Sequence, residues 1–466
     1  MSTVALVPEM LQAWVEHGVI RDRLLQYADT HSYLLRLRTI FLMGSALSIL
    51  WVYILVLRWR DSVGEALLAA SFLGLSWEVA YHARWIATDA MLMQFAALTL
   101  LLVVRYRLEP NKPRWLYAAA VTAGLGFGTK YPGGLLLVPV LVVGYLGWKQ
   151  RLGGALLKRL IFVLLVFTTT FLISTPAVIL RPPEVINGAF YEIRHYATGH
   201  AGHTVAPGVE HAWRMLLYFS SVLFSRYAPI ALLFFSLSLL GAVALVKEDR
   251  QTALLVLSFP ICYFAYFSLQ RAMVVRNLLV LGPFLAVLAA RGVMVLWHMT
   301  RPRSLQSGAI RFPITRLALV LAIGGGLLIN AGWLVYAAQT IADHHSDRFV
   351  RAVARHISTE RGTRFYLSPR LQIQVRDMSS SFPLNVVADP GEADRILLYA
   401  SEGFEHWWDW PANHPWLTEQ WFGPYEVNFN MYPNWWGDDR IIELTGITAK
   451  RLGILLTRTV ETKPEQ

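Results

Sequence analysis

The 466-residue chain holds a single cysteine, Cys262, and only 16% of its residues are charged. A lone cysteine excludes an intrachain disulfide and any zinc site built on cysteines. A soluble domain of this length would carry about a quarter charged residues, so a soluble enzyme or a solvated linker protein is excluded as well. No apolar run near Met1 has the length of a signal-peptide core. There is also no GxxxxGK[ST] phosphate loop. GLGFGTK at 124–130 has the wrong spacing and no strand before it, and Gly124 and Gly128 read instead as small residues for close helix packing.

What the chain has in quantity is apolar residues, 55% of the total, grouped into about ten runs near the ~20 residues that cross a bilayer as a helix. The runs fall at roughly 39–58, 64–82, 88–105, 115–129, 132–148, 158–180, 227–246, 251–269, 277–298 and 316–338. The net charge of +11 would suggest nucleic acid in a soluble protein. Here, however, the Arg and Lys gather in alternate loops: 58–60, 105–114, 149–159, 247–250 and 298–316. Basic loops stay cytoplasmic, which puts 81–89, 130–131, 181–226, 270–276 and everything after 339 outside. The sequence thus predicts an α-helical polytopic protein of a cytoplasmic (inner) membrane, with its working face on the outer side and no nucleic-acid partner.

Residues 1–37 mix Leu11, Trp14, Val19 and Leu24 with charges and read as an amphipathic outer-face segment. Residues 38–338 form the membrane domain, with a long outer loop at 181–226. From 339 to 466 the composition changes to that of a small extracytoplasmic α/β domain, with a helix at 346–360 and strands at 364–368, 383–388, 395–400, 425–431 and 452–457. Seven of the 17 Trp lie between 407 and 436, as a core and lid, a sugar-stacking surface or an interfacial belt. Ten spans with an outer C-terminus place the N-terminus outside too, an arrangement that points to a further helix ahead of this sequence.

Ionisable residues at outer span ends are functional candidates because charge at membrane depth is costly. They are Arg84 and Asp89 in YHARWIATDA, Lys130 beside Tyr131 in GTKYPGG, and Arg276 in QRAMVVRNLL. Each cation alone could be a snorkelling anchor. Several on one face with an acid among them suit an anionic lipid headgroup. The outer loop holds FYEIRHYATGHAGHTV, in which Glu192 and His195 share a face if helical, followed by His200 and His203. That set could position a substrate, hold a divalent metal, or serve only the loop's structure.

Five stretches carry a resemblance to a known family: LLRLRTIFLMGSALSILWVYIL (34–55), HARWIATDAMLMQFAALTLLL (82–102), GLGFGTKYPGGLLLVPVL (124–141), STPAVILRPPEVINGAFYEIRHYATGHAG (174–202) and RNLLVLGPFLAVLAARG (276–292). In order and spacing they resemble the GT-C type integral-membrane glycosyltransferases, in the branch of the protein O-mannosyltransferases and the aminoarabinose transferase of lipid A. The resemblance implies transfer of one sugar from a polyprenyl-phosphate carrier to a protein, lipid or glycan acceptor outside the membrane. It implies Lys130 and Arg276, with Arg84 as a third cation, as ligands of the carrier phosphate, and Asp89 as a catalytic residue at a family acidic position that orients the acceptor or stabilises positive charge at the anomeric carbon. Glu192, His195, His200 and Tyr131 would then position substrate. No cofactor is required by it, although a divalent metal is compatible. Such enzymes carry an Asp-Glu pair after their first helix; this sequence has none, and Asp22 and Asp29 are the nearby acids. A non-catalytic glycan-binding or scaffold relative, and a secondary transporter, are the competing readings. The transporter is disfavoured because no internal repeat is visible.

Overall fold

The computed structural model describes residues 31–83, 85–149, 156–199, 204–300, 314–342, 345–360, 362–378, 385–399, 417–422, 425–429, 447–450 and 453–458. Among the described residues two compact units emerge, one over 38–334 and the other over those from 335 onward together with 31–37. In the first, all of the apolar stretches are helical, and the protein is a multi-pass membrane protein.

Helix α1 (His31–Arg60) starts well before the expected 39, because Arg36 and Arg38 continue the helix instead of capping it. The expected span at 64–82 is broken into α2 (Val63–Gly74) and α3 (Trp77–Ala83), bent by 59°. Backbone polar groups at membrane depth need partners. At this break the Ser76 hydroxyl donates to the Leu223 carbonyl at 2.5 Å and the Trp77 N–H reaches the Phe224 carbonyl at 3.4 Å. In the same segment the fully buried Glu78 accepts from the Tyr218 hydroxyl at 2.7 Å.

The chain continues through α4 (Thr88–Leu108), then α5 (Arg114–Thr129), a 3-10 turn (Tyr131–Leu136) and α6 (Leu137–Lys149). The expected 158–180 span divides: α7 (Leu156–Ser174) ends before Pro176, and α8 (Ala177–Leu180) and α9 (Pro182–Thr198) follow separately. Proline disfavours helix at the residue before it, so Thr175 is where the span stops. Helix α10 (Val209–Tyr218) runs into a π-type turn (Phe219–Leu223). Then come α11 (Ala228–Glu248), α12 (Arg250–Ser268), a 3-10 turn (Val275–Leu281), α13 (Gly282–Met299) and α14 (Ile314–Ala342). Among the described residues seven helices are long and apolar enough to cross a membrane, and the bent α2–α3 pair makes an eighth. The remaining two expected spans correspond to α5 and to the shorter 131–147 segment.

Glycines set the closest helix crossings. A Cβ on Gly241 of α11 would collide with the Leu288 carbonyl, and one on Gly292 of α13 with the Leu237 carbonyl, so the two backbones touch. Gly124 would likewise meet the Phe167 carbonyl of α7 at 2.7 Å. At the basic end, buried Glu65 lies between Arg60 (3.7 Å) and Arg291 (3.8 Å), and Arg291 also pairs with Glu248. These contacts tie together α1, α2, α11 and α13.

The second unit is α/β. Helix α15 (His345–Thr359) places Val350, Val353 and Ile357 on one face, against Phe365 and Leu367 of β1 (Phe365–Leu367) and Leu371 and Val375 of α16 (Pro369–Met378). Strand β2 (Arg395–Tyr399) pairs parallel with β1 across the α16 crossover. Strands β3 (Leu417–Phe422), β4 (Tyr425–Phe429), β5 (Ile447–Lys450) and β6 (Gly453–Arg458) complete a sheet of order β1-β2-β6-β3 and a separate β4-β5 ladder. Of the expected strand at 383–388, the described part makes only one bridge, Val386 to Phe365. The Trp side chains between 407 and 436 lie outside the described residues.

The crossing at Gly292 gives a stability test. Gly292→Leu must push α11 and α13 apart, and overpacking of this kind costs about 1–3 kcal/mol. The melting temperature in detergent should fall by several degrees, whereas Gly332→Ala, which meets nothing within 4 Å, should leave it unchanged.

Candidate functional site

Three helix ends converge on one carboxylate. Asp89 sits in the first turn of α4, where the helix N-terminus favours negative charge. Lys130 terminates α5, at the end that favours a cation. Arg276 opens the 3-10 turn ahead of α13. The Asp89 side chain is only 4% exposed. Its Oδ1 accepts from Lys130 Nζ at 2.6 Å, and its Oδ2 lies 3.4 Å from Arg276 Nε, an ion pair without hydrogen-bond geometry. The Lys130 ammonium also donates to Asn277 Oδ1 at 2.5 Å. Asn277 in turn donates its amide to the Tyr196 hydroxyl at 3.0 Å, while its backbone carbonyl accepts from the Tyr263 hydroxyl at 2.8 Å.

The surrounding backbone fixes these groups. The turn after Lys130 can lie against α5 because Gly133 approaches the Gly126 carbonyl where no side chain would fit. The loop before Arg276 is clamped to the 196–211 segment. Arg271 and Ala272 donate their N–H groups to the Tyr196 carbonyl at 2.9 and 3.1 Å, and Val205 donates to the Arg271 carbonyl at 2.9 Å. His211 donates Nδ1–H to the Gln270 carbonyl at 2.7 Å, and burial holds its pKa below the ordinary histidine value. It therefore stays a neutral structural donor.

Asp89, Lys130 and Arg276 line a cavity of about 530 Å³. Tyr131, Glu192 and Tyr196 also line it, with apolar walls from Phe127 and Phe171. The Thr175 hydroxyl, in the wall, is buried with no hydrogen-bond partner among the described residues. The cavity thus offers two cations, one buried acid that neutralises part of their charge, and an exposed carboxylate on α9 facing them. Lys130 uses two of its three N–H groups on Asp89 and Asn277, which leaves one for a ligand. Such a site suits a phosphate that brings an apolar tail.

Of the residues singled out from sequence, Asp89, Lys130, Arg276, Tyr131 and Glu192 are brought together around this cavity. His195 lies one residue from Tyr196, with its ring edge-on to that tyrosine at 5.9 Å and stacked on Tyr191 at 6.0 Å. Arg84, His200, His203, Asp22 and Asp29 lie outside the described residues. Among the described residues no group of three or more His, Cys, Asp or Glu side chains could hold a metal ion. Asn277 and Tyr196 were not singled out. The signal for Asn277 was present, since it is a polar residue directly after Arg276 in an apolar run; Tyr196 gave none.

Comparison with known proteins shows the fold. Residues 22–187 match the model of the dolichyl-phosphate-mannose-protein mannosyltransferase family. The structure superposes on ArnT from Cupriavidus metallidurans in the apo state with a TM-score of 0.50 and 13% identity, over 92% of this chain and 84% of that one. ArnT from the same source bound to undecaprenyl phosphate gives a TM-score of 0.48 at 14% identity, over 92% and 85%. The archaeal oligosaccharyltransferase AglB from Archaeoglobus fulgidus, in complex with an inhibitory peptide and a dolichol-phosphate, gives 0.42 at 12%, over 85% and 61%. No curated protein matches the sequence. The chain has the fold of the GT-C type integral-membrane glycosyltransferases. Within that fold, the segment 22–187 carries the sequence pattern of the mannosyltransferase family.

Asp89→Asn tests the geometry. The substitution leaves two cations without their shared counter-charge. Breaking a fully buried pair costs about 3–5 kcal/mol, and the 41% exposure of Arg276 reduces that here. The variant should melt at a lower temperature, and added phosphate should recover part of the loss.

Proposed function

We propose that this chain transfers a single sugar from a polyprenyl-phosphate carrier to an acceptor on the outer face of the membrane. The observation that carries the reading is the pair of cations, Lys130 and Arg276, held by a buried acid at helix ends in one cavity. A carrier phosphate is an anion on an apolar tail, and this cavity sets two cations at helix ends beside the apolar Phe127 and Phe171. Two further facts support it: ArnT has been crystallised with undecaprenyl phosphate, and the matching family is described by a dolichyl-phosphate-mannose donor.

In the reaction, the bond between the anomeric carbon and the carrier phosphate oxygen breaks as the acceptor oxygen bonds to that carbon. The acceptor proton must leave, and the carrier departs as a phosphate monoester. Lys130 and Arg276 bind the charge that builds on the departing phosphate, the kind of preorganised stabilisation that lowers a barrier most. Both oxygens of Asp89 face cations, so its part in catalysis is to hold those cations in place. Glu192 is the cavity carboxylate with no ion pair among the described residues, and with His195 and Tyr131 we assign it to the acceptor side. Arg84 is assigned as a third phosphate ligand on the resemblance alone.

Membranes containing the protein, supplied with a polyprenyl-phosphate-linked sugar, give the test. Lys130→Ala and Arg276→Ala should each lower transfer by about 10²-fold or more, while Lys130→Arg should recover part of it. Retention of full transfer by both alanine variants would overturn the reading. Carrier binding without transfer by the wild type would identify a non-catalytic carrier-binding relative.

Asn277→Ala should leave the phosphate-binding charges in place but let the ammonium wander. We expect a roughly tenfold loss in kcat with little change in KM, since a misplaced group mainly forfeits transition-state contacts.

A further inference from the structure

At the end of the bundle opposite to the cavity, a second concavity of about 290 Å³ is bounded by apolar side chains. Leu68 of α2, Val293 and Trp297 of α13, and Val320 and Ile323 of α14 form its walls, and Gly324 opens its floor. Trp297 stands 21 residues after Arg276 along the 3-10 turn and α13, which is roughly 30 Å at the helical rise and about the thickness of the hydrocarbon layer. The groove is therefore separated from the carrier-phosphate site by a full bilayer depth.

Its glycine is not explained by packing. In the run 324–326 of α14, a Cβ on Gly326 would meet the Phe234 ring at 2.8 Å, so that glycine permits contact with α11. A Cβ on Gly324 meets nothing within 4 Å. Glycine weakens a helix interior, and at 324 the visible return is open space in the groove. Above the groove Arg316 lies over the Trp297 ring, with its Cζ 4.5 Å from the centroid, and donates only a long bond of 3.4 Å to the Trp297 carbonyl. Its Nε has no hydrogen-bond partner among the described residues. The sequence 298–316 adjoining this end carries four arginines and no acid.

We propose that this groove binds one acyl chain of an anionic phospholipid, with the lipid phosphate on Arg316. The apolar walls accept the chain, and the unbalanced guanidinium selects the charge. Loops this basic belong on the cytoplasmic side, so the ligand comes from the inner leaflet. A polyprenyl tail fits the walls but brings no anion to Arg316, because its phosphate would lie at the far end.

The test uses the full chain in nanodiscs of equal phosphatidylglycerol and phosphatidylcholine, followed by extraction into detergent and mass spectrometry of the retained lipid. The wild type should retain phosphatidylglycerol several-fold above its bulk ratio. Arg316→Gln should bring the retained ratio back to that of the bulk, and Gly324→Leu should remove the tightly held lipid altogether. Gly325→Leu, at a position that also has open space but does not line the groove, should retain lipid as the wild type does and controls for folding. The proposal is overturned if the wild type shows no enrichment, if Arg316→Gln and Gly324→Leu both retain lipid like the wild type, or if the retained molecule is a polyprenyl phosphate. Each result is independent of sugar transfer.

Discussion

A carboxylate buried at the end of a membrane span is tolerable only when its charge is matched, and Asp89 is matched twice. Lys130 takes one oxygen and Arg276 the other. The same pairing joins the start of α4 to the end of α5 and to the turn ahead of α13, so one electrostatic requirement brings together three segments far apart in sequence. Asn277 extends the requirement outward by tying Lys130 to Tyr196 on α9. The cavity is shaped by these constraints, and its walls come from the elements that they hold.

The two acids of the cavity differ in their surroundings. A carboxylate whose two oxygens face cations is well suited to holding those cations in place. Glu192, exposed on α9 and lining the same cavity, has no ion pair among the described residues. The other end of the bundle is built differently, with an apolar groove beneath a single cation stacked on Trp297.

The membrane architecture was legible because burial in lipid imposes long apolar runs, and charge asymmetry orders them. Asp89, Lys130 and Arg276 were legible for the related reason that ionisable groups at span ends are rare. What the runs could not show was where they break. The bend between α2 and α3 depends on Ser76 and Trp77 finding carbonyls at 223 and 224, a contact remote in sequence. The division after Ser174 was visible in Pro176 and was masked by the apolar residues on either side. Arg36 and Arg38 looked like an end to the span, yet charged side chains near a helix terminus can reach polar surroundings without ending the helix. In the second unit, β1 and β2 showed as compact apolar runs. Strands β3 and β5 did not, because LTEQWF and ITAK interrupt their apolar residues with polar ones. Tyr196 was missed since its function rests on Asn277, a partner on another element.

The most direct measurement is a structure of the full protein determined by electron cryo-microscopy with polyprenyl monophosphate bound. The account predicts phosphate density within hydrogen-bonding distance of both Lys130 Nζ and the Arg276 guanidinium, with the Asp89 ion pairs still in place. Phosphate density elsewhere, with those two cations still facing only Asp89 and Asn277, would contradict it.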